Sequence, residues 1–274
     1  MKRIHATTLS IALVFTAMLS CEEQQEELRN DVPKEIISKL EAAGFHTNEG
    51  LKKSGNGYIV EYDIFLTENQ IDDLVAPVGL GGKAGEEHYR TTNIVKSTPR
   101  TLKIYMDPGF DSYMQSSFDA ALARYNAENL TLKFQRTTTK TGANIQILTM
   151  YELPSGGFVT LGQSAGFPSA SGNPASPIKL NTYVYNGSSR RADATTVIAH
   201  EIGHAIGLRH TDYMNRAFSC GSSGAGNEGP SQYGAVHIPG TPTNPESGSY
   251  MLACSNGGDR PFTSGDKTAL STIY

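Results

Sequence analysis

The 274-residue chain has few of the features that would send it to a nucleic acid or across a membrane. Its 23 basic and 27 acidic side chains give a net charge of −4. No run of Lys or Arg forms a cationic patch, so no nucleic-acid partner is expected. Past the N-terminus, no apolar stretch approaches the ~20 residues needed to span a bilayer. There is no internal repeat. Only three cysteines occur, at positions 21, 220 and 254, which leaves little room for a disulfide framework.

What is present begins with a targeting segment. Lys2 and Arg3 precede a short apolar region around Ile11–Phe15, as in a signal peptide. It ends at Leu19-Ser20-Cys21, which resembles a bacterial lipoprotein cleavage site with Cys21 as the lipidated N-terminus. An ordinary secretory signal is the alternative. Residues 1–21 are thus expected to be a lipoprotein signal peptide and residues 22–31 an acidic tether. The protein is expected in the bacterial cell envelope, held to the membrane through a lipid on Cys21. Removing residues 1–21 takes the charge from −4 to −6. In an oxidising compartment Cys220 and Cys254 can form a disulfide worth roughly 3–4 kcal/mol, or remain two thiols.

The rest of the chain divides by pattern. Residues 32–98 read as a small α/β module and linker. Its parts are a helix from Pro33 to Gly44, a strand over Tyr58–Leu66, a short helix through Leu74, and an exposed linker over 78–98. Residues 99–274 read as the main domain. Leu102, Ile104 and Met106 alternate as in a strand, and a helix follows from Ser112 with Met114, Phe118, Ala121, Leu122 and Tyr125 on one face. Further strands are expected over 130–134, 143–150, 158–161 and 178–185. A helix then starts between Ser188 and Asp193, a Gly/Ser/Pro-rich loop covers 219–249, and Thr263–Asp266 caps a final helix.

One stretch carries chemistry: His200-Glu201-Ile202-Gly203-His204-Ala205-Ile206-Gly207-Leu208-Arg209-His210. At about 100° and 1.5 Å per residue, His200 and His204 share a helix face and can reach one metal ion. On a continuing helix His210 would lie roughly 9 Å beyond His204 and off that face. Gly207 resolves this, because glycine takes the left-handed conformation that ends a helix and turns the chain. Three histidines with a fourth position left for water are the arrangement of a catalytic zinc, not of a closed structural one. The remaining histidines, His5, His46, His88 and His237, have no ligand spacing. His237 lies in the long loop and is retained only as a substrate contact.

With its flanks through Thr211-Asp212-Tyr213, this motif resembles the metzincin metallopeptidases. Within them it is most similar to the bacterial dual-action HEIGH metallopeptidases, named for residues 200–204. The resemblance implies an α+β fold: a twisted, mostly parallel sheet with two backing helices, an active-site helix at the floor of a cleft and a loop-rich C-terminal subdomain, preceded by the small N-terminal module. It implies a methionine floor under the metal, for which Ser249-Tyr250-Met251 is the better match and Met214 the competitor. It implies an edge strand that pairs with an extended polypeptide substrate, with 178–185 near the right place. Astacins, another metzincin group, carry Glu and Tyr where this chain has Thr211 and Ala253, so Tyr213 and Tyr250 stand as candidates for a tyrosine that assists the reaction. Val60-Glu61-Tyr62-Asp63-Ile64 resembles the astacin propeptide segment whose aspartate sits on the zinc, although Tyr62 replaces its usual glycine. Asp63 is then a latency ligand; the alternative is an exposed acid on a strand.

The expected function is zinc-dependent endopeptidase action on polypeptides. It would proceed through a metal-bound water, with Glu201 as general base, in a monomer made as a latent zymogen. The rivals are a lipid-anchored binding or adhesion module with a vestigial zinc site, and zinc hydrolysis of a non-peptide bond.

Overall fold

Alternating apolar residues build the central sheet. In the computed structural model, β5 (Arg100–Met106), β6 (Leu132–Thr137), β7 (Ile145–Met150) and β9 (Ile178–Asn181) run parallel, and β8 (Gly162–Gln163) closes one edge antiparallel to β9. The strand order is β6-β5-β7-β9-β8. Leu102, Ile104, Leu132, Ile145, Ile147, Ile178 and Leu180 point into one core with the helices. The structure describes residues 29–75, 88–154, 159–187, 191–221, 235–242 and 244–274. The signal segment with His5 and Cys21, tether residues 22–28, linker residues 78–87 and loop residues 222–234 lie outside them.

The N-terminal residues form a second hydrophobic cluster. Helix α1 (Lys34–Ala42), strands β1 (Lys52–Ser54), β2 (Gly57–Val60) and β3 (Ile64–Thr67), and helix α2 (Glu68–Val75) surround Ile36, Leu40, Leu51, Tyr58, Val60, Ile64 and Ile71. Phe167, from the segment after β8, completes this cluster. The expected single strand over 58–66 is instead an antiparallel hairpin, with Val60 opposite Ile64. The break falls at Glu61 and Tyr62, both left-handed at φ 55° and 76°. Neither is a residue that signals such a turn, so the run of β-formers hid it.

The expected exposed linker over 78–98 is corrected in its described part, where residues 88–95 pack into the fold. Tyr89–Arg90 form β4, paired with β10 (Val236–His237), and Thr91 N–H donates to the Gly207 carbonyl. Tyr89, Thr91 and Val95 are buried. The expected strand 178–185 stops at Asn181, whose side chain accepts from Tyr183 N–H and starts the helical turn α4 (Thr182–Tyr185). That strand is also interior: the edge beside it belongs to β8, which begins immediately after the expected 158–161, a stretch whose Phe158 lies outside the described residues.

Two helices back the sheet and pack on each other, α3 (Ser112–Asn126) and α5 (Ala194–Ile206). α3 starts at Asp111, whose carboxylate accepts from Met114 N–H at 3.0 Å. Every residue of α5 except Thr195 is buried, so this helix is apolar nearly all round and its polar residues sit inside the protein. Asp193 precedes α5, but its carboxylate binds Tyr185, Arg191 and Ser255 in place of capping the helix. The chain closes with α6 (Ala217–Cys220) and α7 (Ser264–Ile273), the latter opened by a Thr263–Asp266 capping box. Cys220 and Cys254 are joined by a disulfide.

Candidate metal centre

The helix end decides where the third histidine goes. Gly207 has φ 115°, and its N–H donates to the His204 carbonyl while Leu208 N–H donates to that of Gly203. These two bonds are the reciprocal pair that ends a helix on a left-handed residue. The reversed chain brings His210 back, so that its Nε2 lies 3.2 Å from Nε2 of His204.

Hydrogen bonds behind the rings fix which nitrogen faces inward. Nδ1 of His200 lies 2.8 Å from the Tyr250 carbonyl and Nδ1 of His204 lies 2.8 Å from that of Leu208. A carbonyl only accepts, so both Nδ1 atoms carry the proton and both Nε2 atoms keep a lone pair. Nδ1 of His210 lies 3.1 Å from Glu61 Oε2, which likewise accepts.

Asp63 enters from the hairpin turn and closes the cage. Its Oδ2 lies 3.1 Å from His210 Nε2, 3.3 Å from His200 Nε2 and 3.9 Å from His204 Nε2. These four side chains offer ligand atoms all within 4.8 Å of one another. A tetrahedral ion with bonds of about 2.0–2.1 Å sets its ligand atoms about 3.3 Å apart, which most of these spacings approach. His200 Nε2 is buried with no hydrogen-bond partner, as a metal-facing lone pair would be. The donor set fits zinc.

The charge balance in the cage favours a cation. Burial pushes the His210 imidazole down, but Asp63 and Glu61 outweigh it and raise it to about 10. Burial also opposes the Asp63 carboxylate, yet His210 and the other histidines hold it well below the usual carboxylate range. His204, with no such carboxylate behind it, is lowered by burial to about 4. Glu201 stands beside the cage. Burial first, then the charge of Asp63, keeps it well above the usual carboxylate range.

Glu201 is set by a glycine that no motif singles out. A Cβ at Gly162 of β8 would lie 2.6 Å from Glu201 Oε1, so the edge strand fits against the carboxylate only because position 162 is bare. The cleft beyond Glu201 is walled by Leu161, Val197, Tyr250, Leu252 and Arg260.

Met251 lies beneath the histidine helix, buried, with its sulfur against Gly203. Thr211 N–H donates to the Met251 carbonyl, and Asp266 fixes the turn by accepting from Ser249 Oγ at 2.6 Å and Tyr250 N–H at 3.3 Å. Met214 packs elsewhere, against Tyr89, Tyr213 and Ala235. A Cβ at Gly203 would stand 2.5 Å from Met251 Sδ. Alanine gains about 1 kcal/mol of helix propensity, but overpacking a rigid core costs ~1–3 kcal/mol. Gly203→Ala is therefore expected to lower stability, by up to about 2 kcal/mol, read as a lower Tm. An unchanged Tm would mean that Met251 moves aside freely.

Tyr250 hydrogen bonds through its hydroxyl to Tyr125, and the Tyr213 ring packs on Tyr89 and Arg209. His237 does not line the cleft beside Glu201; it sits 3.0 Å from Thr241 Oγ1 and packs on Tyr89. His46 is buried near Glu61, and His88 pairs with Asp266. Thr211, at the astacin glutamate position, donates to Ser249 Oγ.

The residues that spacing did not reveal are those joining the hairpin to the catalytic body. Ser164, just after β8, donates its N–H to the Asp63 carbonyl and accepts from Phe65 N–H, both at 2.8 Å, so the hairpin lies along the sheet edge in parallel. Arg209, between the glycine turn and the third histidine, is buried. It donates to the Ala43 and Gly44 carbonyls at the end of α1 and to Glu61, and lies over the Phe45 ring at 4.0 Å. Burial pushes Glu61 up, but Arg209, His210 and Arg216 outweigh it and hold the carboxylate near 2.

A parallel sheet, a helix-borne three-histidine cage and a glutamate at its side together define a zinc metallopeptidase. The chain belongs to the dual-action HEIGH metallo-peptidase family, whose sequence profile matches residues 58–274. No curated protein matches it. Among solved structures it is similar to high choriolytic enzyme 1, a hatching-enzyme zinc-protease of the medaka fish Oryzias latipes. Identity there is 14% and the TM-score 0.25, over 40% of this chain and 44% of that one, so less than half of that enzyme is spanned. Two structures of myroilysin are similar at 12% identity, with TM-scores of 0.40 and 0.41. They cover 68% and 73% of this chain and 98% and 97% of their own.

Proposed function

We propose that this protein is a zinc endopeptidase that cleaves extended polypeptides and is made latent, its N-terminal module (residues 32–98) lying in the substrate cleft of a catalytic domain over 99–274. His200, His204 and His210 hold the metal through Nε2, Glu201 is the general base, Met251 is the floor, and Asp63 takes the position that water needs. Cys21 anchors the exported chain as a monomer in the bacterial cell envelope.

The observation that carries the reading is the joint placement of Asp63 and its backbone. The side chain meets the three imidazoles while its carbonyl pairs with the exposed edge of the sheet. A peptide substrate needs both places, its scissile carbonyl at the cage and its backbone on the edge strand. When bound, zinc supplies Lewis acidity that makes water nucleophilic near neutral pH and polarises a carbonyl. Glu201 receives the proton of the attacking water and returns it to the leaving amine nitrogen. The bare Gly162 brings the substrate backbone close to that carboxylate, and the apolar walls at Leu161, Val197 and Leu252 receive a side chain. An adhesion module would need no buried carboxylate beside its metal.

The test is metal content together with proteolysis. The full chain should carry one zinc, and its cleavage of an unfolded polypeptide after release of latency should stop with a chelator and return with zinc. Cleavage that persists in the metal-free protein would sink the proposal.

A further inference from the structure

The three imidazoles are not held in the same way. His200 and His204 are oriented by backbone carbonyls of the catalytic body, those of Tyr250 and Leu208. His210 is oriented by a side chain from another part of the chain: Glu61 Oε2, 149 residues earlier, on the left-handed turn of the hairpin. Glu61 is 1% exposed and both its oxygens are engaged. Oε1 accepts from His46 N–H and Arg209; Oε2 faces His210 Nδ1 at 3.1 Å and Arg216 Nη1 at 3.7 Å.

Arg216 makes the arrangement a contest. Its Nη1 lies 3.4 Å from the same His210 Nδ1. A carboxylate at Nδ1 requires a proton there and leaves Nε2 as the nitrogen that faces the cage and can take a metal. A guanidinium only donates, so if it were the neighbour it would require a bare Nδ1 and move the proton to Nε2, where it blocks a metal bond. The two neighbours therefore select opposite tautomers, and the one compatible with metal is selected by the N-terminal hairpin.

We propose that Glu61 is a positioning residue for His210, so that the hairpin which blocks the zinc site with Asp63 also builds it with Glu61. The proposal rests on His210 being a zinc ligand. It makes the N-terminal hairpin a requirement for tight metal loading, and it separates two roles only two residues apart: Asp63 opposes substrate, and Glu61 supports metal. Carboxylates behind metal-binding histidines commonly contribute about 10–100-fold in metal affinity.

The experiment measures zinc affinity of the full chain by competition with a chromophoric chelator. Glu61→Met removes the acceptor but leaves Arg209 buried without its carboxylate, so Glu61→Met/Arg209→Met is made beside it, removing that pair together. In the double variant zinc affinity should fall about 10–100-fold, and adding Arg216→Met should recover a large part of the loss. Long-range 15N spectra of the metal-free proteins should show His210 carrying a proton on Nδ1 in the wild type, where carboxylates face both ring nitrogens, and only on Nε2 in the double variant. Packing loss alone would not produce that signature. Wild-type zinc affinity in the folded double variant, or an Nδ1-protonated His210 in it, overturns the proposal. Arg216→Met alone leaves Glu61 unopposed and should bind zinc at least as tightly as the wild type; weaker binding also overturns it. A wild-type chain that binds no zinc would defeat the peptidase reading instead.

Discussion

Glu201→Ala, made in an Asp63→Ala background so that the cleft is open, is expected to leave zinc content unchanged and to lower kcat by about 10²–10⁴-fold. The carboxylate is buried beside the cage but is not among the four groups that converge on the metal position, so its removal takes no ligand away. Alanine also opens space against Gly162, where the Oε1 atom now packs. Glu201→Gln separates these effects, because it keeps the shape and loses the base. Both variants should fall together in kcat with little change in KM, since Glu201 acts in the transition state and not in holding the peptide. Zinc analysis and steady-state kinetics decide it: a Gln variant as active as its parent would remove Glu201 from the mechanism.

Asp63→Ala in the full-length chain should raise peptidase activity, and by more for short substrates than for long ones. A tethered ligand competes as though present at millimolar concentration or above, so its loss should free the metal position by roughly tenfold or more. The gain is limited by what the substitution leaves behind. The Asp63 carbonyl and Phe65 N–H still hold Ser164, and Arg209 still anchors the module through Ala43, Gly44 and Glu61. A short peptide needs only the cage, whereas a long one must also displace the hairpin from the edge. Equal gains for both lengths would mean that the backbone pairing imposes no barrier, and no gain at all would remove Asp63 as the latency ligand. Truncating the chain near residue 97 is a poorer test. It deletes Glu61 together with Asp63, so the carboxylate behind His210 is lost along with the group on the metal position.

Much of the fold was legible because its signals are local. The alternation at Leu102, Ile104 and Met106, the apolar face from Met114 to Tyr125, and the capping box at Thr263 each need only a few neighbours in sequence. The helix end at Gly207 was readable for the same reason, since a left-handed turn is the way for His210 to rejoin His200 and His204. The legibility ends where contacts are distant. Glu61 meets Arg209 and His210 across almost 150 residues, and nothing near it in sequence marks it out. The edge strand β8 is two residues long, too short for any periodicity to register. The hairpin turn at Glu61 and Tyr62 lacks the glycine that would announce it. The structure holds the position in the left-handed region by other means: Tyr62 N–H donates to the Gly50 carbonyl and its hydroxyl to Glu49. That region is where a glycine would have been at ease.

The close approach of Gly203 and Met251 also joins two positions far apart in the sequence. Of the five letters in His-Glu-Ile-Gly-His, the glycine touches no metal and moves no proton, yet a methionine 48 residues later occupies the volume that its side chain would need. In this chain a larger side chain at position 203 fits only with a smaller one at position 251, so the two act as a single unit of volume shared between the motif and the floor beneath it.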